Sequence, residues 1–409
     1  MIISCIITYV LFENIYLCIF EINNKRNRHR QDVKMKKITT YLCLTIPSIL
    51  LLFSCNKGDD NQVTDSSTCE FFCESDSRNF EMGFTTWPYA PTVESVDETY
   101  MFVSEHADIY SEHIDSPIPW DAWINDSAFP LEFTNDMTSR ASRIIPDLKL
   151  TVSVSLLNNS RDELASDYDG SIPNYTELND SHIEEAYFKH LKYITELLNP
   201  DYLILAIEVN ELLKNAPEKW DSYKLLMANI RTRIKQEFPL LVISESITLH
   251  NFYQPDVEDP ETYIEEIADY ANTLDFVTIS FYPFFKDLKT KADFQEAFDF
   301  LHDKINKPLA IAETGHLSED LSVETFNLFI SGNQSEQNEY LESLITNAQE
   351  QNYEYLIWFT HRDYNELWET FPDDVKDIGQ LWISTGIINE DANEKDAFDT
   401  WKFVFNSQL

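Results

Sequence analysis

Two glutamates hold the positions in this sequence where chemistry is most readily placed. Glu211 closes the stretch Tyr202–Glu211 (YLILAIEVNE), directly after Asn210, and Glu313 stands near the end of Pro308–Gly315 (PLAIAETG). Each follows a short apolar run of strand length, and such a run suits a parallel strand covered on both faces. A carboxylate at the end of a buried strand is poor core filling. It fits a strand whose carboxyl end opens onto a solvent-filled pocket. Two carboxyl groups that meet there can divide the work, one protonating a leaving oxygen and the other attacking a carbon. At about 5 Å apart they suit glycosidic cleavage with retention, and a wider gap gives inversion. The acid must keep its proton near neutral pH, which burial or a neighbouring carboxylate arranges. Glu208 also ends the apolar run and is the alternative acid. Side chains alternate along a strand, so Glu208 and Glu211 are not expected to face inward together without a bulge.

The elements that must position this pair form a regular series. Strands are expected at about 81–86, 108–114, 150–156, 202–211, 241–248, 276–281, 309–312 and 355–360, with amphipathic helices between them, among them 92–107, 135–145, 182–198, 220–238 and 396–405. Eight strands alternating with eight helices predict a single (β/α)8 (TIM) barrel of the α/β class, whose active site lies at the carboxyl ends of the strands. The runner-up is a doubly wound open sheet, which usually has fewer strands and a glycine-rich first turn. Only seven glycines are present, and they spell no G-x-G, no phosphate-binding loop and no G-x-S-x-G. The nine histidines form no H-E-x-x-H, so neither a metal nor another cofactor is implied.

Sugars need aromatic platforms and hydroxyl partners. Trp87, Tyr89, Trp120, Trp123, Tyr282 and Trp358 all fall at or near expected strand ends. Each singly is more often a core residue; their gathering on one face of the barrel favours a substrate-binding role. Tyr282 is placed to hydrogen-bond the nucleophile and Trp358 to floor the central subsite. His113 and Asp115 are candidates for sugar hydroxyls, although Asp115 could equally cap a loop.

The chain has 409 residues and a net charge of −41. Seven Lys/Arg and three Asp/Glu precede Cys55, so the remainder carries a net −45. Such a surface repels nucleic acid and anionic membrane and leaves neutral or cationic partners, with neutral polysaccharides or oligosaccharides fitting well. The N-terminal part has its own grammar. Residues 1–34 read as an upstream extension, with translation expected to start at Met35. Residues 35–54 carry a basic start and an apolar core, as a secretory signal does. They resemble a bacterial lipoprotein signal whose lipobox ends at Cys55. That implies cleavage before Cys55, lipidation of its thiol, and anchoring to a membrane. The acidic residues just after it resemble the surface-export signals of Bacteroidetes-type lipoproteins, which implies an outer-membrane or cell-surface location. Residues 55–78 form a polar tether, and 79–409 the catalytic domain. No cysteine occurs after Cys73, which leaves that domain without a thiol nucleophile or internal disulfide.

Three motifs in order, AIEVNE at 206–211, SFYPF at 280–284 and AIAETG at 310–315, resemble clan A glycoside hydrolases. Within the clan the similarity runs to the arabinogalactan endo-β-1,4-galactanases of glycoside hydrolase family 53, over roughly Gly83 to Trp401. The resemblance implies a retaining mechanism, with Glu211 as acid/base at the end of strand 4 and Glu313 as nucleophile at the end of strand 7. It implies Asn210 as the partner of the sugar's 2-hydroxyl. A non-catalytic, surface glycan-binding lipoprotein of the same fold is the alternative reading.

Overall fold

The computed structural model describes residues 77–409 apart from Ser116. The upstream extension, the signal segment, Cys55 and nearly all of the tether lie outside the described residues. Among the described residues no helix is long and apolar enough to cross a membrane.

The strands are β1 (Glu81–Thr85), β2 (Ile109–Ile114), β3 (Lys149–Val154), β4 (Tyr202–Ile204), β5 in two halves (Val242–Ser244 and Ser246–Thr248), β6 (Val277–Phe281), β7 (Leu309–Thr314) and β8 (Tyr355–Trp358). All pair in parallel with their neighbours, and β8 returns to pair with β1. The first half of β5 pairs with β4 and the second half with β6, so nine parallel segments make one sheet that nearly closes on itself. This is the expected barrel. Its strands are buried on both faces because one face meets the barrel interior and the other meets the helices. Tyr202, Tyr355, Ile109 and Ile357 belong to a small interior cluster, while most of the apolar core lies between strands and helices. β1 can lie against β2 only because residue 83 is glycine: a Cβ there would stand 1.9 Å from the Ile109 carbonyl oxygen.

The helix starts follow from local chemistry. Thr92 caps Val93–His106 through the Ser95 N–H, Asp259 caps Pro260–Ala271, and Thr290 and Asp293 form a reciprocal capping box ahead of Lys291–Lys304. Two elements carry the sequence expectation only in part. The stretch 202–211 is not a continuous strand. Its regular pairing ends at Ile204, Glu208 takes a left-handed φ of 54°, and Asn210 starts the short helix Asn210–Asn215. The alternation argument therefore does not apply beyond Ile204. In β7 the register against β6 slips between Ile279 and Ser280: Ile279 pairs with Ile311, Ser280 with Glu313. Ala312 is the extra residue of a bulge, and a bulge re-aims the side chain that follows it.

The sequence reading also passed over a cap on the barrel mouth. A hairpin (Leu321–Val323 and Leu328–Ile330) and the helices Asn365–Trp368 and Asp373–Gly379 follow β7 and β8. They pack with Tyr282, Phe284, Phe285 and Trp382 into a second apolar cluster. A buried ion pair fixes this cap to the body. Lys395 Nζ lies 2.8 and 2.6 Å from the two Asp363 oxygens and 2.7 Å from Ser318 Oγ, with both charged side chains almost wholly inaccessible. Lys395→Met strands the Asp363 carboxylate without a partner, and a loss of about 3–5 kcal/mol is expected on the scale of broken buried pairs. Urea unfolding monitored by tryptophan fluorescence reads it; a change below about 1 kcal/mol would mean that water reaches Asp363.

Candidate active site

One cavity at the carboxyl end of the barrel collects Glu208, Glu211 and Glu313, with His113, Asp115, Arg161, His250 and Asn251. Its aromatic wall is Trp87, Tyr282, Phe285, Phe359, Tyr364 and Trp382.

Glu313 is held by two strand-end neighbours. The Tyr282 hydroxyl, from the residue that follows β6, donates to one carboxylate oxygen. His113 Nδ1, from β2, lies 3.2 Å from the other. Burial, and then the charge of Glu313, keep the Tyr282 phenol well above its ordinary pKa, so it stays a donor. Asp115 accepts from the Ser155 hydroxyl at 3.0 Å and lies 4.0 Å from His113 Nε2.

The two glutamates after β4 differ in surroundings. Glu208 is held by backbone and side chain together: its N–H donates to Ser246 Oγ at 2.8 Å, and Arg161 Nη2 donates to its carboxylate at 3.0 Å. Burial raises its pKa; Arg161 opposes the shift, and the charges of Glu313 and Glu211 add to it. Glu211 instead accepts from Asn251 Nδ2 at 2.7 Å and lies 3.7 Å from Lys214 Nζ. His250 is a neutral imidazole, because burial and then the nearby Lys286 and Lys214 press its pKa well below the usual value.

The expected site residues thus divide. Glu208, Glu211, Glu313, Trp87, His113, Asp115 and Tyr282 come together in the cavity. Asn210, Trp120, Tyr89 and Trp358 do not line it. Asn210 is fully buried and spent on the fold: Nδ2 donates to the Thr248 carbonyl at 3.2 Å and Tyr263 Oη at 3.0 Å, and Oδ1 accepts from the Thr248 N–H at 2.8 Å. It clamps the end of β5 rather than facing a ligand. Trp120 and Trp123 are core residues, their indole N–H groups directed to the Ala165 carbonyl and His190. Tyr89 donates to Glu98 and stacks under Arg362. Trp358 is buried, with its N–H on the Thr385 carbonyl at 2.9 Å. Its successor Phe359 lines the cavity instead, beside the indoles of Trp87 and of Trp382, the latter packed with the cap.

Arg161, His250, Asn251, Phe359 and Trp382 were missed. His250 and Asn251 come just past the strand ending at Thr248, after Leu249, a looser form of the signal that singled out Tyr282 after β6. Arg161 had a weaker one, a lone arginine in the loop Leu157–Asp162 after β3.

No protein-family model matches this sequence, and no curated protein matches it either. Solved structures do match its fold. The Ignisphaera aggregans GH53 catalytic domain superposes with a TM-score of 0.51 at 12% identity, over 83% of this chain and 94% of that one. A GH5_18 protein from Bifidobacterium longum subsp. infantis gives 0.57 at 14%, over 80% and 79%. Native xylanase 10B from Thermotoga maritima gives 0.51 at 10%, over 80% and 95%. What is shared is the (β/α)8 barrel fold. The GH53 domain is one of several such neighbours, and its superposition is no better than that of the GH5_18 barrel.

Proposed function

We propose that this protein is a retaining glycoside hydrolase acting on a polysaccharide or oligosaccharide. The observation that carries the reading is the meeting, in one cavity at the barrel mouth, of a donor-held carboxylate and a half-buried carboxyl of raised pKa. Glu313 attacks the anomeric carbon, while the Tyr282 hydroxyl holds it in orientation. Glu208 gives its proton to the departing glycosidic oxygen. In the second half Glu208 takes a proton from water, the water oxygen bonds to the anomeric carbon, and Glu313 leaves as a carboxylate. We assign the acid/base to Glu208 over Glu211 because Glu208 is the carboxyl that burial and Glu313 bias toward holding a proton. Glu211 is engaged with Asn251 and Lys214. The segment 35–54 and Cys55 support lipid anchoring at the outer membrane or cell surface, where such a substrate would be met.

The test is hydrolysis of a panel of aryl β-glycosides and β-galactans by the parent protein. Binding without turnover on any member would favour a glycan-binding barrel that does not cut.

Arg161 gives a finer check. Arg161→Gln removes the positive charge that opposes protonation of Glu208, so the carboxyl should hold its proton to higher pH. The alkaline limb of kcat/KM, which reports loss of the acid's proton, is expected to move up. A limb that stays in place or moves down would remove Glu208 from the role.

A further inference from the structure

Arg161 and Glu208 are bonded to each other in the cavity, and both hold the same uncommon backbone state. Their φ angles are 53° and 54°, in the left-handed region that residues with a side chain enter at a cost and that collects at functional sites. Each is fixed from behind. The loop of Arg161 is closed by a bridge between Leu157 and Leu164. It is tied to the segment that follows Glu208: Asn215 Nδ2 donates to the Ser160 carbonyl at 2.7 Å and Lys219 Nζ to the Asp162 carbonyl at 2.7 Å.

The guanidinium itself is half used. Nη1 donates to the Asn158 carbonyl at 3.1 Å, within its own loop, and Nη2 donates to Glu208 Oε2 at 3.0 Å. Nε is covered from solvent and has no partner. In the planar guanidinium Nε–H lies on the same edge as Nη2, the edge with which arginine grips both oxygens of a carboxylate. Here it grips one. Buried donors are normally paired, so the spare Nε marks a second arrangement of the pair. A cation is also a poor neighbour for a group that must keep a proton. It assists only by doing more for the transition state than for the ground state, and a fork that closes as the carboxylate forms does so.

We propose that Arg161 is the positioning residue of the acid step, holding one oxygen of Glu208 while the proton is present and both once it has left. This rests on Glu208 as the acid/base and names the group that governs it. With the proton on Oε1, Arg161 holds Oε2 alone and Oε1 serves the glycosidic oxygen. That oxygen takes the proton and keeps the electron pair of the breaking bond to the anomeric carbon. Oε1 is then an acceptor and takes the Nε–H. In the second half water returns a proton to Oε1, its oxygen bonds to the anomeric carbon, and the fork opens.

Arg161→Lys keeps the charge and removes the fork. It is tested through kcat/KM, which reports the first step, on the phenyl and dinitrophenyl β-glycosides of the sugar the parent cleaves. The phenyl value is expected to fall at least about tenfold and the dinitrophenyl value less than about threefold, since only the phenyl leaving group needs the proton. Arg161→Ala is assayed on the phenyl glycoside with methylguanidinium or methylammonium at equal ionic strength. The first should restore turnover at least about fivefold and the second less than about twofold, because only the guanidinium carries the fork. Equal losses on the two glycosides, full activity of Arg161→Lys, no rescue by methylguanidinium, or equal rescue by methylammonium would each overturn the proposal. Glu208→Gln is read beside them. If it shows no leaving-group dependence, the acid assignment falls and the fork with it; if it shows one and Arg161→Lys does not, the fork alone falls.

Discussion

Glu313→Gln is expected to lower kcat by more than about 10⁴-fold, the scale on which losing a covalent nucleophile acts. The substitution is nearly isosteric. It leaves the Ala312 bulge, the Tyr282 hydroxyl and His113 in place, so the barrel should melt close to the parent. What it removes is the oxygen that must bond to the anomeric carbon. A shortened side chain adds a chemical signature. With Glu313→Gly, azide can enter from the vacated face and displace the leaving group in a single step, giving a glycosyl azide of inverted configuration. Proton NMR of the product reads the configuration. An azide product of retained configuration would mean that another residue still forms the covalent intermediate.

The second large effect separates Glu208 from Glu211. Glu208→Gln removes both the acid of the first step and the base of the second, and general acid–base catalysis contributes about 10²–10⁴-fold. The loss should fall mainly on substrates with poor leaving groups; a dinitrophenyl glycoside needs no protonation to leave and should form the intermediate nearly as fast as before. Azide should then accelerate turnover of that glycoside and give product of retained configuration, because Glu313 still acts first. Glu211→Gln disturbs the contacts to Asn251 and Lys214 and should cost less than about tenfold, with no dependence on the leaving group. If Glu211→Gln shows the leaving-group dependence and Glu208→Gln does not, the acid is Glu211.

The barrel could be read from the sequence because apolar runs of strand length, the amphipathic helices between them and the lack of any glycine-rich motif all point the same way. The strand ends at Tyr282 and Glu313 were legible for the same reason: a polar residue that terminates a buried strand has little else to do. The errors sit where local geometry departs from the ideal element. The stretch 202–211 looks like a strand, but the left-handed residue at Glu208 and the turn into Asn210–Asn215 bring two glutamates to one cavity. Asn210 matched a motif yet pairs with the end of β5, a contact between residues 38 apart that no local pattern announces. At β8 the reading was off by one residue, and with a period of two that exchanges Trp358 in the core for Phe359 in the site. Trp382 arrives on a cap whose short hairpin and helices owe their place to long-range apolar packing.

The most direct test is covalent trapping. A panel of dinitrophenyl 2-deoxy-2-fluoro-β-glycosides, covering galactosyl, glucosyl, mannosyl and xylosyl donors, is incubated with the parent protein and followed by intact mass and peptide mapping. The expected result is one fluoroglycosyl group added by at least one donor, located on Glu313 and absent from Glu313→Gln. An adduct on Glu208 or Glu211, or turnover of the parent glycosides with no adduct from any donor, would contradict a retaining mechanism through Glu313.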